Sequence, residues 1–238
     1  PLLGRPMIQH VYERARQARR VKEVWVATDD IRIARAVEEF GGQVVMTSAD
    51  HPTGTHRVLE ASGVVGGDPV VNLQGDEPLI RPDQVDLVIQ ALEEDQDADV
   101  ATLCTQSHNI LEIKDPNTVK VVTDHKGHAL YFSRAPIPFY RDAHFSEGGD
   151  EAPGGGCWGG AWIHVGIYAY TQRALEMIRS MARAPWEEAE KLEQLRFLYW
   201  GLRIRVVPTL HRTVGVDVPE DLARVERLLE AGLSREGA

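Results

Sequence analysis

The sequence predicts an α/β protein with a mainly parallel central sheet and helices on both faces. Two observations predict it. Strand-length apolar runs alternate with helix-length amphipathic ones through the first half. A short apolar strand, Pro69 to Leu73, then runs into a glycine turn that presents carboxylates, as open α/β sheets do at their ligand-binding ends. Composition agrees: 238 residues, 43% hydrophobic and 26% charged, is ordinary for a globular protein and ample for a core. The length suits one substantial domain or two small ones, and residues 1–238 are read as one.

The elements follow in order. Met7 to Arg19 reads as a helix, with Ile8, Val11, Tyr12, Ala15 and Ala18 on one face. Val21 to Ala27 is a strand. Asp29 to Phe40 is a helix opened by acidic residues and closed by Gly41-Gly42. Gln43 to Met46 is a short strand, Thr55 to Ser62 a helix ending at Gly63, and Pro69 to Leu73 a strand. Pro82 sits in the first turn of a helix running to Glu93, and Val100 to Cys104 is a strand. The second half changes character. Val119 to Asp124 and Ala129 to Ser133 flank a hairpin-like turn at 124–128. Ile163 to Tyr170 is a strand, Thr171 to Arg183 and Glu187 to Tyr199 are helical, Ile204 to Pro208 is a strand, and Pro219 to Ala231 closes the chain as a helix.

The 26 basic and 36 acidic residues give a formal charge of −10. That argues against nucleic acid or an anionic membrane as partner. A small anionic substrate stays open, because a bound divalent cation reverses the local sign. Two cysteines, Cys104 and Cys157, make no disulfide framework and no zinc spacing, so a reducing cytoplasm is the expected compartment. No apolar stretch reaches the roughly 18 residues of a membrane span, and no signal peptide is visible. The nine histidines form no H-E-x-x-H or comparable metal spacing.

The sharpest motif is Asn72-Leu73-Gln74-Gly75-Asp76-Glu77-Pro78. Asp76 is a hard oxygen ligand suited to Mg²⁺, which binds through one or two carboxylates plus substrate phosphates. Asp76 or Glu77 could equally cap a turn or the next helix. In Gly215-Val216-Asp217-Val218-Pro219-Glu220-Asp221, Asp217 reads either as a helix cap or as a second carboxylate on the same metal. The polar loop Asp50 to Arg57 feeds a helix; its amides and hydroxyls suit a base or a phosphate, and Arg57 offers a fork of donors. The other reading is a capped helix. Ser133-Arg134 ends a strand. His164 and Tyr168 lie on one side of a strand, and Glu193 and Gln194 lie in a helix; alone, each reads as core or solvated face. The glycines of Glu147 to Gly160 precede a strand rather than a helix, so a surface loop is expected there rather than a phosphate cradle.

Taken in order, these motifs are more specific than any one of them. Ala49-Asp50-His51, Thr53 to Arg57, Asn72 to Pro78 and Asn117-Thr118-Val119-Lys120-Val121-Val122 are followed by Ala129 to Arg134 and Ile137-Pro138. His164-Val165-Gly166-Ile167-Tyr168, Lys191-Leu192-Glu193-Gln194-Leu195-Arg196 and Gly215-Val216-Asp217 complete the series. The chain thereby resembles the 3-deoxy-manno-octulosonate (KDO) cytidylyltransferase family over nearly its whole length. The resemblance implies a nucleotidyltransferase fold (Rossmann-like, GT-A-like) working as a cytoplasmic homodimer, with CTP and KDO as substrates, Mg²⁺ as cofactor and CMP-KDO for lipopolysaccharide as product. It implies that Asp76 and Asp217 hold Mg²⁺ and are catalytic. Thr53, Gly54, Thr55, Arg57 and Gln74 would line the cytidine pocket, and Arg134, His164, Tyr168, Glu193 and Gln194 would surround the sugar acid.

Two departures stand out. The family opens with a strand and a basic loop of the type Ala-Arg-x-x-Ser-x-Arg-Leu-Pro-Gly-Lys that grips the triphosphate. Here Leu3-Gly4-Arg5-Pro6-Met7 matches only the segment just beyond that loop, and the expectation is that the natural protein carries the strand and loop ahead of Pro1. The second departure is the glycine- and tryptophan-rich stretch from Gly154 to Trp162. Competing readings are a CMP-sialic acid synthetase or its relatives, a metal-dependent glycosyltransferase, and a non-catalytic nucleotide- or sugar-binding module. A dinucleotide dehydrogenase is disfavoured, since no G-x-G-x-x-G follows a strand.

Overall fold

The computed structural model describes residues 1–51, 53–141, 160–216 and 218–236, with backbone alone for 232–236. In chain order the first elements are α1 (Met7–Arg16), β1 (Trp25–Thr28), α2 (Ile31–Glu39), β2 (Gln43–Met46), α3 (Gly54–Val65) and β3 (Val70–Asn72). Next come α4 (Pro82–Glu94), β4 (Val100–Ser107), α5 (Ile110–Lys114), β5 (Lys120–Thr123), β6 (Ala129–Ser133) and β7 (Ala161–Tyr170). The chain ends with α6 (Gln172–Ser180), α7 (Pro185–Glu190), α8 (Gln194–Tyr199), β8 (Ile204–Pro208) and α9 (Pro219–Glu236). These form two compact units, Pro1–Gln90 with His211–Ala238, and Ala91–Leu210.

In the first unit β1 and β2 pair in parallel around α2. Asp30 caps α2 by accepting from the Arg32 N–H at 2.8 Å, which satisfies a donor the helix leaves open. The apolar faces of α1 and α2 meet the two strands in a cluster of Tyr12, Val26 and Val37, joined by Ile8, Val24, Phe40 and Val44. The Tyr12 hydroxyl, buried among them, accepts from the Gln43 N–H at 3.2 Å. A second cluster joins the chain start to the last helix. Leu2, Val225 and Leu229 are buried together, with Leu79, Val214, Val216 and Leu222 packed against them.

Five strands of the second unit pair in the order β6-β5-β7-β4-β8. The central strand is β7, and on the neighbouring β4 Val100, Ala101 and Leu103 are fully buried. Only β4–β8 is parallel; β7 runs antiparallel to both β4 and β5, and β5 antiparallel to β6. The α/β class holds, but the sheet is mixed rather than mainly parallel. The cause is local. The β5–β6 hairpin turn bends the chain straight back, with Gly127 at φ +83°, where a Cβ would fall 2.3 Å from Arg205 Nη1.

Most expected elements appear within a few residues of their expected ends, and β2, β6 and β8 fall where expected. Three differences stand out, two of them with a visible cause. The first strand begins at Trp25 rather than Val21. The short helix α5 was not expected; it is nucleated by the Asn109 side chain accepting from the Leu111 and Glu112 amides. The continuous helix expected from Glu187 to Tyr199 is two helices, because Lys191 adopts a left-handed conformation at φ 54°, ψ 44°. Of the glycine-rich stretch, residues up to 159 lie outside the described residues, and Ala161 and Trp162 open β7.

The break between α7 and α8 is held by a buried ion pair. Arg196 is 2% exposed and donates through Nε and Nη2 to the two Glu187 oxygens at 2.8 and 2.5 Å. Burial by itself pushes the Glu187 carboxyl up; the Arg196 hydrogen bonds and the Ala184 N–H outweigh it, and the group ends below its ordinary value. Glu187→Gln should therefore lower stability by about 3 kcal/mol, since removing one partner strands a buried charge. A carboxyl depressed by folding stabilises above its unfolded pKa, and that stability fades as pH falls through the folded pKa. Urea unfolding should show the loss at pH 7 and a flatter acid limb in the variant; equal midpoints and equal acid limbs would contradict the pairing.

Candidate functional site

In the first unit, β3 ends at Asn72 and the chain turns over Gly75-Asp76, with the Glu77 N–H donating to the Gln74 carbonyl at 3.3 Å. Asp76 is half-buried. It does not cap α4, which begins at Pro82. The turn is fastened to the segment entering α9: the Val216 N–H donates to the Asp76 carbonyl at 2.9 Å. A Cβ at Gly215 would meet Glu77 Oε1 at 3.4 Å and the Asp76 carbonyl at 3.7 Å. Asp217 itself lies outside the described residues. Val218 immediately precedes α9, and its N–H donates to the Asp221 carboxylate at 3.1 Å.

The expected nucleotide residues gather at the N-terminus of α3. Thr53 is its N-cap, its hydroxyl accepting from the His56 N–H at 3.4 Å and meeting His56 Nδ1 at 2.8 Å. Capping thus claims the Thr53 hydroxyl, as the structural reading of that loop allowed. The Gln74 amide lies over Gly54, where a Cβ would sit 3.5 Å from Gln74 Nε2; Gly54 and Gln74 are brought together and Gln74 is exposed. Thr55 is buried, 3% exposed. Arg57 is anchored rather than loose: Nη1 donates to Thr47 Oγ1 at 2.7 Å and pairs with Asp29 Oδ1 at 2.8 Å. Neither partner was foreseen, since nothing in sequence spacing links 29, 47 and 57.

The second unit holds the expected sugar-acid residues. Arg134 follows β6. Its Nε donates to the Glu190 carbonyl at 2.7 Å and its Nη1 to the Pro116 carbonyl at 2.8 Å. Both acceptors are neutral, so these bonds aim the guanidinium without cancelling its charge. The Glu190 carboxylate accepts from Ser133 Oγ at 2.7 Å and the Arg134 N–H at 2.8 Å. Beneath them Lys120 is fully buried, its ammonium donating to the carbonyls of Asp115, Thr118 and Arg134 at 3.0, 2.5 and 2.5 Å. Three donors meet three acceptors. Burial lowers its pKa, partly countered by Asp115 and Glu190. Lys120 and Glu190 were missed as site residues; the available signal was a lysine inside the apolar run Val119 to Val122.

His164 and Tyr168 share a face of β7, as the spacing predicts, with ring centroids 5.4 Å apart. Phe132 packs edge-on to His164 at 5.1 Å, and Tyr170 stacks on Tyr168 at 5.9 Å. Burial drives the His164 pKa down to about 4, so the ring is neutral at ordinary pH. The Tyr168 phenol is pushed well up, first by burial, then by Tyr170 and Glu193, which places the Glu193 charge beside it. Glu193 stands at the N-terminus of α8, 3.7 Å from Arg196, and Gln194 is 5% exposed. The arrangement offers one aimed cation, a neutral imidazole, a phenol and a carboxylate: groups for a carboxylate and several hydroxyls.

Among the described residues no group of three or more His, Cys, Asp or Glu side chains is placed to hold a metal, and no helix is long and apolar enough to cross a membrane. The Cys104 thiol is buried, and burial raises its pKa to about 12, which makes it a poor nucleophile.

Comparison with known proteins gives concordant findings. A family described as cytidylyltransferase matches residues 1–204. A Geobacter sulfurreducens protein named 3-deoxy-manno-octulosonate cytidylyltransferase is 49% identical over 94% of this chain and 89% of its own length. An Escherichia coli protein of the same name is 43% identical over 98% of this chain and 89% of its own. A solved CMP:2-keto-3-deoxy-manno-octonic acid synthetase complexed with CTP superposes with a TM-score of 0.88 at 43% identity, covering 98% of this chain and 90% of that one. A 4-diphosphocytidyl-2C-methyl-D-erythritol synthase from Anaerococcus prevotii, 13% identical with a TM-score of 0.59 over 97% of this chain and 88% of its own, shares the fold.

The neutral His164 gives a pH prediction. Its folded pKa lies below the unfolded value of 6.5, so the unfolded chain takes up the proton first. Its contribution to stability is complete above pH 6.5 and is lost as pH falls toward 4. In the folded protein the His164 ring signals in NMR should stay unprotonated from pH 8 to 5. His164→Gln should lose part of the decline in unfolding free energy over pH 6.5–4.5. A ring that titrates near 6.5 would contradict the neutral assignment.

Proposed function

The chain belongs to the cytidylyltransferase family, and from that premise we propose that it transfers CMP from CTP to 3-deoxy-D-manno-octulosonate, releasing pyrophosphate and forming CMP-KDO for lipopolysaccharide. The observation that carries this reading is its likeness, over nearly the full length of both chains, to the CTP-bound synthetase. The finer fold description, a Rossmann-like, GT-A-like nucleotidyltransferase sheet, belongs to the same proposal, as do the cytoplasmic location and the homodimer.

The chemistry rests on the groups these side chains offer. The anomeric hydroxyl of the sugar acid attacks the α-phosphorus of CTP, the new O–P bond forms, and the bond to the β-phosphate oxygen breaks with pyrophosphate leaving. Little covalent work falls to the protein; positioning and charge stabilisation dominate. The exposed Gln74 amide over Gly54, and Arg57 held by Thr47 and Asp29, face the nucleotide in this reading. Thr53 and Thr55 build the end of α3 that carries them. Arg134, aimed by neutral carbonyls, takes the sugar carboxylate. His164, Tyr168, Glu193 and Gln194 take its hydroxyls, and the high Tyr168 pKa keeps that phenol a hydrogen-bond donor.

The donor set at the Asp76 turn fits Mg²⁺, which asks for one or two carboxylates and takes its remaining oxygens from phosphates and water. Asp76 is half-buried and its carbonyl binds Val216, next to Asp217 in the chain. Asp76 and Asp217 would hold the ion. When bound, it offsets charge on the reacting phosphate oxygens. This lets a protein of charge −10 accept a polyanionic nucleotide.

Two substitutions test the assignment. With saturating CTP, KDO and Mg²⁺, Asp76→Ala should cut pyrophosphate release on the order of 100-fold or more, the size of losing one key electrostatic group; near-native release would remove Asp76 from the metal site. Arg57→Ala should raise the KM for CTP about tenfold, with little change for KDO; an unchanged KM for CTP would take Arg57 out of the nucleotide pocket.

A further inference from the structure

β7 carries a bulge opposite β4. Thr102 pairs with Tyr168 while the next residue, Leu103, pairs with Val165, so Gly166 and Ile167 have no partner across the ladder. A shift by two residues keeps the side-chain faces in phase, which is why His164 and Tyr168 still share a face. The ladder is interrupted there, and a side chain fills in. Thr102, fully buried, places Oγ1 2.8 Å from the Ile167 carbonyl, 3.2 Å from the Val165 carbonyl and 2.9 Å from His164 Nε2.

The proton count at that oxygen is decisive. A hydroxyl has one proton to give, and both carbonyls can only accept. If the proton went to His164, Oγ1 would face two carbonyl oxygens lone pair to lone pair, one of them at 2.8 Å. The proton therefore goes to the carbonyls, and the contact with the ring must be Nε2–H donating to Oγ1. A neutral imidazole carries one N–H. With it on Nε2, Nδ1 holds a lone pair, and Nδ1 has no hydrogen-bond partner among the described residues.

We infer that Thr102 is a positioning residue: it locks His164 in the Nε2–H tautomer, so that Nδ1 accepts a hydrogen bond from a hydroxyl of the sugar acid. This rests on the reading of His164 as a sugar-acid residue and deepens it. An acceptor at Nδ1 selects a hydroxyl and repels a carboxylate, whereas Arg134 does the opposite. The two groups together fix which way round the sugar acid lies. The low His164 pKa, set by burial, acts in the same direction, because an imidazolium would have no acceptor at all.

Two readouts separate this role from a merely structural one. In the free protein, long-range ¹H–¹⁵N NMR should show the His164 proton on Nε2. Thr102→Val, which keeps the shape and removes the oxygen, should give a mixture of tautomers and raise the KM for KDO about tenfold, the size of one hydrogen bond, with the KM for CTP unchanged. Thr102→Ser, which keeps the hydroxyl, should restore both. A proton found on Nδ1 in the native protein would overturn the proposal, as would a native KM for KDO in Thr102→Val. If Thr102→Val unfolds, the native and Thr102→Ser spectra still decide the tautomer. An Nε2–H signal in a protein that does not turn over KDO would overturn the functional reading alone.

Discussion

The hydrogen bond from the Val216 N–H to the Asp76 carbonyl is the constraint on which the chemistry proposed for the first unit depends. It ties the turn after β3 to the segment that enters α9, two acidic stretches far apart in sequence. Carboxylates repel, and an acidic protein gains nothing electrostatically by gathering them. Neutral forces must hold the backbone in place, and they are visible. Leu79 follows the turn and Val214 and Val216 flank the bond, all packed against buried Leu2, Val225 and Leu229. Apolar burial sets the positions, and in the proposed function the charges are left for a cation and a nucleotide.

The second unit solves a different problem, that of holding polar groups rigid inside a sheet. The buried Lys120 and Arg196 both have partners there. Lys120 spends three donors on three carbonyls, and Arg196 spends two on Glu187. Thr102 satisfies the carbonyls freed by the bulge. None of these groups needs to touch a substrate. They fix the end of β6, the middle of β7 and the start of α8, from which Arg134, His164, Tyr168 and Glu193 project. In the proposed function these residues face a sugar acid with many similar hydroxyls, which calls for donors and acceptors held in fixed places.

Much of this was legible in the sequence, because hydrophobic period and glycine or proline punctuation are local signals. They located β2, β6 and β8 and the turn bearing Asp76, and placed His164 and Tyr168 on one face. The parts that were not legible depend on partners distant in the chain. Strand direction in the second unit is set by which strands meet, and β7 runs antiparallel to two neighbours. The break at Lys191 carries no glycine or proline to announce it. The anchoring of Arg57 by Thr47 and Asp29, and of Arg134 by Glu190 and Pro116, joins residues that no spacing rule connects. Thr102 looked like one more strand residue; only the bulge opposite gives its hydroxyl a role.

The most direct measurement of the central claim is pyrophosphate release by the protein supplied with CTP and Mg²⁺, with KDO in one reaction and sialic acid in another. The account predicts release with KDO and none with sialic acid, with CMP-KDO recovered as the product. Release with sialic acid alone would keep the transfer chemistry and contradict the sugar assignment. Binding of CTP with no release from either sugar would contradict the catalytic reading and favour a nucleotide-binding module.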